Sequence, residues 1–300
     1  MSRPALAADR AIQVIDLLTL HPTERFNLTE ITQRTGVNPA SAHALMAVLL
    51  RAGYVQRHPT HKTYALGPAL VAASAAALEQ LPGIRAAQAE IGELSRELEL
   101  EAVVTVATED EIIVVGRALH ASAYGSVLAV GQRLPLAPPF GSVFLAWSAS
   151  AEIERWLARS EPALDARETE DQHRALELVR TRGYSLAFDS PARREVGEVV
   201  AHRATSVPAD DHDHLDELVA ALAHGGDYHV MALDESRTYD VSMIAAPVFD
   251  ANQRVTAAIT VCGFAPAMPA TEVIRIGERV RGLALVITKR THGRLPPGLD

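Results

Sequence analysis

Six side chains between residues 41 and 62 have the chemistry to hold a polyanion: Ser41, His43, Arg51, Arg57, His61 and Lys62. Guanidinium and ammonium groups neutralise phosphates, and hydroxyl and imidazole groups can hydrogen-bond base edges, so the set suits duplex nucleic acid. The charge distribution points the same way. The chain carries a net charge of −9 over 300 residues, yet its first seventy residues hold seven basic side chains against four acidic ones. A basic head on an acidic body concentrates phosphate attraction at one end.

Other reactive residue types carry less. The run Asp210-Asp211-His212-Asp213-His214-Leu215-Asp216-Glu217 is rich in metal-ligand types. His212 and His214, however, stand two apart and project to different sides of a helix, whereas a two-histidine metal face needs i and i+4. Acidic residues ahead of a helix also complement its dipole, and no metal is expected. Ser142 follows Gly141 without the G-x-S-x-G elbow of a hydrolase nucleophile, and no G-x-x-x-x-G-K-[ST] loop is present. The single cysteine, Cys262, excludes an intramolecular disulfide framework and an all-cysteine metal cage. No catalytic group and no cofactor is expected.

The elements that must position the basic set are legible from punctuation. A helix over 10–20 places Ile12, Ile15 and Leu18 inward and stops at His21-Pro22. Asn27 and Glu30 form a capping pair for a second helix that ends at Gly36. Asn38-Pro39 opens a third, which buries Ala42, Leu45 and Leu49 and ends at Gly53. Strands over 54–57 and 63–66 follow, making a winged helix-turn-helix. On it Ser41 and His43 face the groove, and Arg57 and Lys62 are phosphate contacts at the wing. An alanine-rich helix over 68–81 connects this head to a body of mixed strands and helices, an α+β domain. Strands are expected over 102–107, 112–116, 124–130, 184–188, 241–249 and 255–263. Alternation along the last puts Thr256, Ala258, Thr260 and Cys262 on one small, mildly polar face, suited either to helix packing or to a cavity floor. Residues 293–300 are expected to be a disordered tail.

A hydrophobic share of 48% with 22% charged residues is globular composition and argues against wholesale disorder. The N-terminus has no long apolar run, and the most apolar window, 65–78, contains Gly67-Pro68 and is too short to span a bilayer. A soluble cytoplasmic protein with no membrane partner is expected.

Taken in order, several segments make the chain resemble the IclR family of bacterial transcription regulators. They are 10–20; Leu28-Thr29-Glu30-Ile31 with Arg34-Thr35-Gly36-Val37 through Gly53-Tyr54-Val55; Tyr64-Ala65-Leu66-Gly67-Pro68; Gly131-Gln132-Arg133-Leu134-Pro135-Leu136; and the 241–250 strand. The resemblance implies a winged helix-turn-helix over 1–67, a linker helix over 68–82, and a GAF-like effector-binding domain over 83–292 with a mainly antiparallel sheet. It implies operator DNA, a small organic effector that changes operator affinity, and self-association as dimers or dimers of dimers. It also brings Phe140, Gly141, Ser142 and Met243 into one effector pocket with Thr260 and Cys262. None of these six is charged, so the expected ligand is uncharged or weakly polar unless Arg117 or Arg133 reaches in.

The chain departs from the family pattern in two places. Pro39, Ala40 and Ala44 stand where relatives carry basic or hydroxyl residues, which thins direct reading of guanine. An extra helical stretch occupies roughly 191–226. These departures keep a rival reading in view, an enzyme or metal-binding module on an α+β domain with degenerate DNA recognition.

Overall fold

The computed structural model describes residues 5–121, 128–191, 193–196, 199, 218–219, 221–224 and 233–299. The head contains α1 (Leu6–Leu20), α2 (Leu28–Thr35), α3 (Pro39–Arg51) and a hairpin of β1 (Val55–Arg57) and β2 (Tyr64–Leu66). Local chemistry sets both ends of α2 and the start of α3. Glu30 N–H donates to Asn27 Oδ1 at 3.0 Å while Asn27 N–H donates to Glu30 Oε2 at 2.6 Å, a reciprocal cap for α2. Gly36, at φ 65°, closes that helix. Ser41 N–H donates to Asn38 Oδ1 at 2.9 Å, and Pro39 occupies the first turn of α3, where no N–H is needed.

Val14, Leu18, Phe26, Ile31, Met46, Val55 and Tyr64 form the core of the head. Ile12 does not join it. The buried stripe of α1 runs through Val14 and Leu18, two residues place Ile12 across the helix from it, and Ile12 is 57% exposed. On α3 the buried side chains are Ala42 and Met46, with Leu45 and Leu49 half-buried at the flank.

Next come α4 (Pro68–Gln80), none of whose residues is buried, and α5 (Pro82–Leu98). The body contains β3 (Glu101–Ala107), β4 (Glu111–Ala118), β5 (Arg133–Pro135), α6 (Ser142–Leu145), α7 (Ser150–Leu157), α8 (Ala166–Arg182) and β6 (Ser185–Phe188). It continues with β7 (Thr238–Tyr239), β8 (Val241–Phe249), β9 (Val255–Cys262), β10 (Met268–Pro269) and a long closing helix, α9 (Ala270–Arg290). Antiparallel pairing builds one sheet in the order β5-β4-β3-β9-β8-β6, with β7 and β10 forming a separate ribbon.

Strand alternation gives this sheet two faces. Val104, Ile244, Ala246, Ile259 and Val261 pack beneath α5 and α9. Ala245 and Ala258 point the other way, toward a second core with Phe140, Phe144, Trp156 and Leu176 from α6–α8 and the turn before them.

Three expectations fall partly or wholly outside the described residues, and a fourth changes. Most of the strand expected over 124–130 lies outside the described residues, and the edge strand that pairs with β4 is β5, with Ile113 opposite Arg133. The 191–226 stretch is described only in part, but its Val196, Leu218, Val219 and Leu222 are buried in the second core. The Asp210–Glu217 run lies outside the described residues. The tail is packed rather than disordered. Leu299 is 2% exposed, Arg294 N–H donates to the Asp250 carbonyl, and Gln253 Nε2 donates to the Leu295 carbonyl. The β8–β9 turn supplies those polar partners, so the chain end has a surface to lie on. Among the described residues no helix is long and apolar enough to cross a membrane, and no group of three His, Cys, Asp or Glu side chains could hold a metal.

Candidate nucleic-acid interface and effector cavity

The head presents α3 and the wing together. His43 and Arg51 are exposed on α3. Ser41 is half-buried, and its hydroxyl accepts a hydrogen bond from Arg10 at 3.3 Å, so it sits on the side turned toward α1. In the wing turn His58 Nδ1 accepts from the N–H groups of Thr60 and His61, and the two imidazoles lie 4.6 Å apart. This leaves His61 and Lys62 exposed at the tip. Arg57 is also exposed, with its guanidinium 5.6 Å from the Tyr64 ring centroid across the hairpin. The aromatic face steadies the cation without neutralising it.

In the body, a cavity of about 70 Å³ lies between the sheet and α6. Phe140, Gly141, Ser142, Met243 and Thr260 line it, with Val103, Thr105 and Leu134. Cys262 does not. It is buried two residues farther along β9, opposite Met243 and Glu101. The turn that carries Phe140 is held from behind. Trp156 Nε1 donates to the Phe140 carbonyl at 2.9 Å, Arg159 to the Leu136 carbonyl at 3.0 Å, and Arg180 to the Ala146 carbonyl. Gly141 has φ 93°, and a Cβ there would stand 2.4 Å from the Leu136 side chain, so only glycine fits this close turn.

The cations named from sequence do not reach the cavity. Arg117 pairs with buried Glu101 at 2.6 Å, while Arg133 pairs with Glu111 at 2.7 Å and with Asp16 at 3.5 Å. Arg193 does not line the cavity either, but its guanidinium packs against Phe140, one of the lining residues. Its Nε donates to Ser242 Oγ at 2.6 Å and its Cζ lies 5.7 Å from the Phe140 ring centroid. Burial draws its pKa down to about 10, with the Asp189 charge opposing the fall, so it remains a cation at neutral pH. Sequence reasoning missed this residue, because no spacing rule links position 193 to 140 or 242.

The two parts of the chain also touch. Arg133 and Asp16 join β5 to α1, and a Cβ at Gly131 would meet the Thr19 side chain at 2.5 Å. Leu134, next to Arg133, lines the cavity.

Comparison with known proteins accords with this architecture. A model described as the IclR helix-turn-helix domain matches residues 7–59, and one described as the bacterial transcriptional regulator IclR C-terminal matches 75–222. The HTH-type transcriptional regulator XynR of Escherichia coli (strain K12) is 26% identical over 223 residues, 72% of this chain and 84% of that one. Among solved structures, the IclR transcriptional regulator of Alicyclobacillus acidocaldarius superposes with a TM-score of 0.64 at 21% identity, covering 96% of this chain and 100% of the other. An IclR homologue of Microbacterium hydrocarbonoxydans, solved with 4-hydroxybenzoate, gives a TM-score of 0.61 at 16% identity, covering 95% and 99%. With its helix-turn-helix head and antiparallel α+β body matched in order by both family models, the chain belongs to the IclR family of bacterial transcription regulators, DNA-binding and effector-binding proteins rather than enzymes.

Proposed function

We propose that this chain is a ligand-responsive regulator in which a small organic molecule in the body cavity changes the affinity of the head for duplex operator DNA. The head ends near residue 67, the linker helix near 82, and the effector domain spans 83–292. Ser41, His43, Arg51, Arg57, His61 and Lys62 are its DNA contacts, and Phe140, Gly141, Ser142, Met243 and Thr260 bind the effector, with Cys262 behind them. The observation that carries the reading is the contact chain from cavity to head. Leu134 lines the cavity, and its neighbour Arg133 pairs with Asp16 on α1. A cavity of about 70 Å³ has to widen to admit an organic molecule, so binding moves its walls.

Arg193 supports a more specific ligand class than the uncharged one expected from the lining alone. An apolar body carrying one carboxylate would meet the aliphatic and aromatic walls and find a buried cation beside Phe140. The Microbacterium relative was solved with a ligand of that kind, 4-hydroxybenzoate. Benzoate and benzamide, alike in shape and unlike in charge, separate the two classes. Benzoate should change retardation of a duplex from the region upstream of the gene, and benzamide should not. Equal effects of the two would remove Arg193 from the account.

Self-association as a two-fold dimer or a dimer of dimers belongs to the same proposal. Leu6 and Ile12 on α1 and Val71 on α4 are all more than half exposed, apolar area that a second copy would cover. A footprint with two half-sites about one helical turn apart, or a multiple of that, is the expected result, and a single unpaired footprint would count against the dimer.

A further inference from the structure

The outward stripe of α3 consists of Ala40, His43, Ala44, Ala47, Val48 and Arg51, all exposed. Helical geometry places them within an arc of about 140°. The first two and a half turns, the N-terminal part of a reading helix that meets base edges, offer three alanine methyls and one imidazole. Arg51 stands roughly 12 Å farther along the axis from His43, near the helix end. Ser41 lies off this stripe, its hydroxyl engaged by Arg10 and its N–H by Asn38.

Apart from Arg51 at its far end, such a surface cannot make the bidentate contacts by which arginine or lysine selects guanine and asparagine or glutamine selects adenine. One major-groove group does suit it. The C5-methyl of thymine is the only apolar feature on that edge of the base pairs, and alanine side chains are among those that contact it. Small side chains also let the helix come close to the groove floor. At the same positions a guanine or cytosine edge would lose its water to a methyl and gain no partner, so the stripe selects against G·C pairs as well as for thymine.

We infer that α3 reads its operator chiefly through thymine methyl groups, with Ala40, Ala44 and Ala47 as specificity-determining residues and His43 as the hydrogen-bonding reader among them. The inference rests on the proposed DNA-reading role of the head. The cations at the wing, Arg57 and Lys62, supply the charge complementarity that seats the helix, and the alanine stripe decides where it stays.

The test uses the full-length protein and duplexes selected from a random pool. Thymines in the selected half-site are replaced singly by deoxyuridine, which removes only the methyl. Affinity should fall roughly fourfold at each of two or three positions, the effect of exposing about one methyl of apolar surface. Ala44→Arg, checked for an unchanged melting curve, should shift the selected base at one of those positions toward guanine. Specific binding that is indifferent to every deoxyuridine overturns the methyl reading while leaving the DNA-binding role intact. Loss of self-association in Ala44→Arg, together with that indifference, would assign the stripe to a second copy of the chain and equally overturn it. Absence of any retardation of the wild type at low salt would instead defeat the underlying DNA-binding reading.

Discussion

Arg133 of β5 reaches Asp16 of α1 at 3.5 Å, so a residue next to the cavity wall is ion-paired to the first helix of the head. Both side chains are about one-third exposed, and a pair in that setting adds little to stability, on the order of 0–1 kcal/mol. Its importance is positional. Arg133 also holds Glu111 at 2.7 Å, so the contact is braced on β4 and moves with the sheet edge.

Arg133→Ala should therefore leave operator affinity without ligand nearly unchanged and weaken the response to ligand. The ratio of operator affinities with and without benzoate, typically about 5–150-fold in coupled systems, should fall toward one. Gly131→Ala should act in the same direction, since its Cβ would stand 2.5 Å from the Thr19 side chain and force the surfaces apart. A mobility-shift titration measures the ratio, and an unchanged ratio in both variants would remove this contact from the coupling.

Arg57→Ala and Lys62→Ala should each weaken binding to all duplexes and lower the salt slope of log affinity by about one unit. Affinity measured across a salt series checks this. If Lys62→Ala changes which sequences are preferred while the slope stays fixed, the wing is reading bases rather than holding phosphates.

Arg193→Met removes a buried cation and keeps a long apolar stem. Because the folded pKa of about 10 lies below the ordinary guanidinium value, the charge opposes folding fully below about pH 10, and the opposition lifts as pH rises toward the ordinary value. At neutral pH relief of that opposition and loss of the hydrogen bond to Ser242 act in opposite directions, so stability should stay within about 2 kcal/mol of the wild type. It should also bind benzoate at least tenfold more weakly. Denaturant unfolding and calorimetry measure the two effects, and undiminished benzoate affinity would place the carboxylate elsewhere.

Asn27→Ala removes the side-chain half of the α2 cap, the acceptor for the Glu30 N–H, while the backbone N–H of residue 27 can still donate to Glu30, and should cost about 1 kcal/mol of head stability. Denaturant unfolding of the variant should show an earlier transition, accompanied by weaker operator binding and unaltered benzoate binding. A change in benzoate affinity of similar size would mean that head and body unfold together.

The parts of the fold legible in the sequence were those set by short-range chemistry. Asn27 with Glu30, Asn38 with Pro39, and Gly36 each act on backbone within four residues, so their effect is written locally. From Ala257 onward the two faces of β9 follow from alternation, which likewise needs no distant information. A register shift against β8 breaks it at the strand's start, so Val255 packs with the second core and Thr256 stands beside Gly83 of α5 instead. The phase of α1 was misread at Ile12 because apolar residues occur on more than one side of that helix, and only the packing of Val14 and Leu18 against the head chooses among them. Arg193, the packed tail and the Asp16–Arg133 contact depend on residues tens to more than a hundred positions apart, for which sequence spacing carries no signal. Five of the six expected cavity residues stand around one space, while Cys262 shares the face of Thr260 but lies one step too far along the strand.

Helix α4 buries none of its residues, and only its ends pack, through Ala69 beside Gly53 and Leu78 on the body core, so its middle is exposed. Each residue in such a helix advances the chain by about 1.5 Å and rotates it by about 100°. A single alanine inserted mid-helix would swing the head by that angle about the rod, parting Asp16 from Arg133 and re-aiming α3. Seven inserted residues would bring the azimuth back to within roughly 20° while displacing the head by about 10 Å. The residue count of α4 thus acts as a gear setting, fixing the torsional phase between the part of the molecule that senses and the part that reads.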